Sequence, residues 1–172
     1  MGIIYRNFSN SSSTPYIVLQ LYLSLVRPSL EYASQVWDPH LSKDVEALEN
    51  TQKFALRIAA RQYHERYETL LDTFQLPSLA NRRQFLSLCT FFSIVNDCVY
   101  FPPLDGTLRP LQSHHPHRHH HCRALTVPFA SHSTVMSSFL FKCAKLWNNL
   151  PQDAVLASNI HNFKLIISHL FS

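Results

Sequence analysis

Glycine is almost missing from this chain: Gly2 and Gly106 are its only two in 172 residues, against ten prolines. Primed hairpin turns lean on glycine, so a protein built of tight β-hairpins is excluded. A glycine-rich loop that cradles phosphate is excluded for the same reason. Charge is scarce as well, at 15% of residues, where soluble domains carry roughly 25%. Cys89, Cys98, Cys122 and Cys143 are scattered and include no C-x-x-C pair. Reduced thiols, and with them a cytoplasmic or nuclear setting, are the expectation. No uninterrupted apolar run reaches the ~18 residues of a membrane span. Met1 to Thr14 runs through Asn-Phe-Ser-Asn-Ser-Ser-Ser and has no apolar centre, so no secretory leader is read there.

What is present is apolar mass. Hydrophobic residues make up 46%, with twelve Phe, seven Tyr and two Trp, enough for a core within one domain. With so little charge to cover the outside, an apolar face that a partner covers is expected. The net charge of +4, with eleven histidines counted neutral, suits nucleic acid without requiring it. Protonation of those histidines would raise the charge further in acid.

The periodicity predicts an all-α fold, an irregular bundle of five to six helices with a long His/Pro-rich loop. Residues 1–13 read as a flexible lead and 14–99 as a helical region. Thr14-Pro15 opens it, and Val18, Leu21, Tyr22, Leu25 and Val26 recur at helical spacing. Pro28 is expected to kink or divide this helix, and Asp38-Pro39 to end it. Ser42 is expected to cap the next, with a stripe of Val45, Leu48, Gln52, Ala55, Leu56 and Ala59 and an expected Glu49–Lys53 pair. Tyr67 to Phe74 is a short helix. Ser78 caps a fourth, with Leu79, Phe85, Leu86, Cys89, Phe92 and Val95 inward. Residues 100–133 hold Pro102, Pro103, Pro110, Pro116 and Pro128 and the low-complexity run SHHPHRHHHCR, and read as a linker. Residues 134–172 read as a helical pair packing on the first region, carrying Phe139, Leu140, Cys143, Leu146 and Trp147, then Ile160, Phe163, Ile167 and Leu170.

Four stretches resemble, in order, the C-terminal part of the reverse transcriptase polyprotein of non-LTR retrotransposons, the long interspersed elements of animals. LYLSLVRPSLEYASQVWDPH (21–40) is similar to the signature just past the polymerase palm. LENTQKFALRIA (48–59) resembles its following basic helix, FQLPSLANRRQFLSLC (74–89) its Leu-Pro-Ser-Leu and Arg-Arg element, and LWNNLPQDAVLASNIHNFKLII (146–167) its closing Trp-Asn-x-Leu-Pro and Phe-Lys stretch. The resemblance implies thumb-side helices that pack beside a palm. Tyr32 and Trp37 are then expected as bulky anchors of a core around the Pro28 kink. The chain departs from the parent activity. Polymerisation of this type uses paired aspartates to hold two metal ions, yet no Asp-Asp dipeptide occurs; Asp38, Asp44, Asp72, Asp97, Asp105 and Asp153 are scattered. No preceding endonuclease is read either, so the expectation is a catalytically inactive piece left by upstream truncation, not an enzyme.

Lys53, Arg57 and Arg61 fall at i, i+4 and i+8 and are expected on one helical face, extended by Arg66 and joined by Arg82 and Arg83 if the helices lie side by side. Such a face contacts phosphates without reading sequence; its plain alternative is a solvated face. The resemblance favours contact, because polymerase thumb helices track the template–primer backbone. His114, His115, His117, His119, His120 and His121 with Cys122 lack the paired-ligand spacing of a structural zinc site and read as a solvated, expanded loop, so no metal and no cofactor are expected. The functional expectation is weak, nonspecific RNA or DNA binding through Lys53, Arg57, Arg61, Arg82 and Arg83, with no small-molecule substrate and no membrane. The alternatives are a helical interaction module that self-associates through apolar helix faces, and a decayed element with no selected function.

Overall fold

Helix starts at Thr14 and answers Pro28 before reaching it. The computed structural model describes Gly2, Arg6 and residues 14–101, 109–110, 121–127 and 132–171. Most of the expected lead 1–13 and of the expected linker therefore lies outside the described residues. Helix α1 (Thr14–Leu21) widens into a π-helical turn over Tyr22–Val26, where the Arg27 N–H closes on the Tyr22 carbonyl, before α2 (Arg27–Glu31) resumes. Proline cannot give an N–H to the carbonyl four residues back, and a wider turn just ahead of it absorbs the misfit. Ala33, at φ 49°, then separates α2 from α3 (Ser34–Trp37).

Helix α4 (Ser42–Ala60) takes Ser42 as its first residue, with Leu41 and not Ser42 at the cap and no side-chain cap hydrogen bond. It buries Gln52, Ala55, Leu56, Ile58 and Ala59, close to the expected stripe, while Val45 and Leu48 are half-buried. Next come α5 (Tyr67–Phe74) and α6 (Leu79–Val95); the Ser78 hydroxyl accepts from the Asn81 N–H at 3.1 Å and caps α6 as expected. The glycine shortage shows where these three helices end. Left-handed residues close each one, Arg61 at φ 55°, Gln75 at 50° and Asp97 at 55°. The following N–H returns to a carbonyl five residues back in every case: Gln62 to Arg57, Leu76 to Leu71, Cys98 to Ser93. Glycine would take this conformation freely; a side chain there costs roughly 1 kcal/mol.

The chain divides into two compact units between Arg83 and Gln84, inside α6. In the first, α1 packs on α4: Val18, Ile58 and Ala59 form a buried cluster with Leu19, Leu21, Val26 and Phe74 against it. In the second, Leu88, Phe91 and Phe92 of α6 meet Cys143, Ala144 and Trp147 of α8 (Phe139–Asn148) and Phe163 and Ile167 of α10 (Ile160–Ser168). Phe92 stacks on Phe163 with centroids 4.3 Å apart. Two short helices not expected from periodicity, α7 (Ser133–Met136) and α9 (Gln152–Val155), join this unit. The fold is all-α as expected: among the described residues helices lie where the pattern predicts them, with short ones added between.

The stretch read as unbroken linker contains a small β-ladder. β1 (Arg109–Pro110) pairs antiparallel with β2 (Leu125–Thr126), Pro110 opposite Leu125. A side chain substitutes for the missing ladder bonds on β2. The Asn148 amide accepts from the Leu125 N–H and donates to the Leu125 carbonyl, both at 2.8 Å. Arg123 reinforces the same segment, donating to Asn96 Oδ1 and to the Val155 carbonyl, each at 3.0 Å.

The cysteines divide by burial. Cys89 and Cys143 are buried, Cys98 and Cys122 exposed, and burial pushes the Cys89 thiol up to about 11. Since the thiolate is the reactive form, Ellman's reagent at about pH 8 is expected to label Cys98 and Cys122 quickly and the other two only on unfolding. Four fast thiols in the folded chain would contradict this packing.

Candidate nucleic-acid interface

The basic stripe expected on α4 is broken at its end. Lys53 and Arg57 are half-buried on the helix, but Arg61 sits past it in the left-handed cap and leaves the helical face. Spacing of i+8 predicts a shared face only while the helix continues, and this one stops at Ala60. Arg57 is engaged within the fold: its Nη2 donates to the Glu65 carbonyl at 3.1 Å, and its buried Nε finds no partner among the described residues. Arg66 is exposed and lies 4.0 Å from an exposed Glu68 carboxylate, a contact worth well under ~1 kcal/mol.

Arg82 and Arg83 meet carboxylates. Arg82 holds Glu31 with two nitrogens, Nε on Oε1 and Nη2 on Oε2 at 3.0 Å. This fork raises the Arg82 pKa, with the hydrogen bond to Glu31 as the main cause. Arg83 donates Nε to Asp38 Oδ1 at 2.8 Å and is buried. Both side chains, expected on a phosphate-binding face, are committed to holding α6 against the 31–38 segment.

A second polar net ties α4 to its neighbours in the same unit. The Tyr22 hydroxyl donates to Gln52 Oε1 at 2.7 Å. Gln52 Nε2 donates to the Tyr67 hydroxyl at 2.9 Å and to the Pro77 carbonyl at 3.0 Å. Tyr67 in turn donates to Glu49 Oε2 at 2.6 Å. Glu49 also accepts from the N–H groups of Leu79 and Ala80 at the start of α6. A carboxylate thus reaches the orphan donors of a helix start from another helix. That corrects the expected Glu49–Lys53 pair: Glu49 turns inward to Tyr67 and α6. Burial pushes the Tyr22 and Tyr67 pKa values far upward, for Tyr67 with help from the Glu49 hydrogen bond, so both hydroxyls stay protonated.

The expectation of Tyr32 and Trp37 as core anchors is also corrected. Tyr32 is 80% exposed and Trp37 is exposed too, its indole N–H donating to the Tyr32 carbonyl at 2.7 Å. The Ala33 turn swings this pair outward. Comparison of the chain with family models, with curated proteins and with solved structures finds no match.

His114, His115, His117, His119 and His120 lie outside the described residues, but His121 is within them and is no part of a solvated loop. Buried, it donates Nε2–H to the Trp147 carbonyl at 2.7 Å while Nδ1 accepts from the Arg123 N–H at 3.2 Å. The periodicity missed this docking because residues 121–127 are too short to show any period. Their one sequence signal is the apolar Ala-Leu-Thr-Val that follows the basic run. Among the described residues no three His, Cys, Asp or Glu side chains group closely enough to hold a metal ion. Asp38 faces Arg83, Asp44, Asp72, Asp97 and Asp153 are exposed, and Asp105 lies outside the described residues. Among those residues, too, no helix is long and apolar enough to cross a membrane.

Proposed function

We propose that this chain is a thumb-side, post-palm module of a non-LTR retrotransposon reverse transcriptase, without polymerase chemistry of its own, that binds RNA or DNA weakly and nonspecifically through backbone phosphates. One observation carries this: polar residues of three of the four resembling stretches are spent on one another. Tyr22 meets Gln52, Glu31 meets Arg82, Asp38 meets Arg83, and Glu49 meets the first turn of α6. Such a set acts as a brace, which suits a packing module. On this proposal the protein works inside the cell, in nucleus or cytoplasm, with no cofactor and no small-molecule substrate.

On this proposal Lys53 of α4 and Arg61 of its cap contact the nucleic-acid backbone. A filter-binding titration with unrelated RNA and DNA sequences is expected to give similar affinities that fall steeply between about 50 and about 200 mM salt. Lys53→Glu with Arg61→Glu is expected to weaken binding at least about tenfold, the loss of two phosphate contacts plus repulsion. Affinity indifferent to salt would remove the proposal. The exposed Leu25, Tyr32 and Val36, the last at 88% exposure, favour a second function, self-association as a helical module. Size-exclusion chromatography separates the two: dimers formed without nucleic acid support the second.

A further inference from the structure

Arg27 is the polar residue of the 21–40 signature whose charge the brace does not absorb. Its side chain keeps only 19% of its surface, yet its nearest carboxylate oxygen, Glu31 Oε1, lies 3.7 Å from Nε, beyond hydrogen-bond length. Glu31 is already held in a two-nitrogen fork by Arg82. Among the described residues the Arg27 guanidinium makes no hydrogen bond. Two guanidinium groups therefore converge on one carboxylate, Arg82 in a fork and Arg27 in a looser ion pair, and the three groups together carry one net positive charge. The electrostatics agree: burial lowers the Arg27 pKa, and the Arg82 charge lowers it further, against the opposing pull of Glu31 and Tyr22.

We infer that Arg27, with Arg82 beside it, is a phosphate site that takes a backbone phosphodiester of single-stranded RNA or DNA. The inference rests on the nucleic-acid function proposed above and moves its centre from α4 to the start of α2. A guanidinium fork fits a phosphate's paired oxygens and gains more from them than a point charge would. Glu31 Oε1 faces Arg27 as well, and its negative charge opposes part of that gain. Nucleic acid is favoured over an acidic peptide by Tyr32, one residue beyond Glu31 and exposed. Single strands are held by a charge for the backbone and an exposed aromatic ring for a base.

Fluorescence anisotropy on the full chain, with labelled oligo(U) and oligo(dT) of about twelve nucleotides, tests this. Arg27→Gln is expected to lower affinity about tenfold and to reduce the salt slope by about 0.7, one single-strand phosphate. Arg27→Lys should keep the slope while losing part of the affinity, because the charge stays and the fork goes. Tyr32→Ala should lower affinity about fivefold or more without changing the slope. If Arg27→Gln matches the unaltered chain in affinity and slope, the phosphate site is overturned while nucleic-acid binding stands. If the unaltered chain binds neither oligonucleotide, both fall. Should Arg27→Gln unfold, as its thermal midpoint would reveal, the affinity of Arg27→Lys decides: a loss supports the site and unaltered affinity overturns it. Tighter binding of a labelled oligoglutamate than of oligo(U) would overturn the site in favour of an acidic peptide.

Discussion

Trp147→Ala should unfold the second unit or leave it close to unfolding. The indole is fully buried, with Phe91 5.7 Å, Phe163 6.2 Å and Phe92 6.4 Å away between ring centroids. It joins three helices of one core, so its removal leaves a cavity that none of them can close alone. Truncations of this kind cost about 3–5 kcal/mol. The indole N–H is also lost to the Arg123 carbonyl, now 3.0 Å away, which adds about 1 kcal/mol for a buried acceptor left unmet. Against total stabilities of about 5–15 kcal/mol this is most of what holds such a unit together. Trp147→Phe, which keeps the ring but not the donor, should lose only about 1–3 kcal/mol. Urea unfolding followed by far-UV circular dichroism reads the loss, since Trp37 and Trp147 are the only tryptophans and the substitution itself removes the fluorophore of this core. A loss below about 1 kcal/mol for Trp147→Ala would mean that the aromatic cluster does not organise this unit.

The docking of residues 121–127 would go with it. His121 donates to the Trp147 carbonyl, Arg123 accepts from the Trp147 ring, and Asn148 completes the β2 ladder. The Trp-Asn pair of the closing signature therefore does two jobs at adjacent positions. Trp147 fills the core, and the neighbouring amide on the rim supplies a strand partner. Both follow from helical geometry, which points successive side chains about 100° apart.

What could be read from the residues was whatever repeats. Apolar spacing located the long helices, because burying one face demands recurrence every three to four positions. Ser78 was legible as a cap because one hydroxyl at a helix start has one common use. Arg61 was not. Its expected face assumed a helix that continues, and only the left-handed turn at Arg61 decides that it stops. Tyr32 was misplaced for a related reason: the pattern of large residues says that area must be buried somewhere, but the Ala33 turn, which aims Tyr32 outward, leaves no periodic trace. The fate of charged side chains was least legible. Arg82 and Arg83 read alike as free cations until tertiary packing supplied Glu31 and Asp38 from some 50 residues earlier.

Asp38→Ala is the most informative substitution in the first unit. Arg83 keeps 2% of its side-chain surface and Asp38 22%, with Nε and Oδ1 2.8 Å apart. The Nη1 of Arg83 is buried without a hydrogen-bond partner, so this guanidinium depends heavily on one carboxylate. Removing the acid leaves an uncompensated charge in a dry site, which costs about 3–5 kcal/mol. Arg83→Met should cost less, because the aspartate left behind lies nearer water and can rehydrate. In the double variant Asp38→Ala, Arg83→Met no buried charge remains, and the methionine fills much of the volume of the arginine stem. The pair of changes is then expected to be more stable than Asp38→Ala alone, with a coupling of at least about 1 kcal/mol. Chemical denaturation of the four proteins gives that coupling directly. Strict additivity would show that Arg83 is solvated and not held by Asp38; a strong coupling would show that this arginine, expected on a phosphate-binding face, serves to hold the start of α6 against the 31–38 segment.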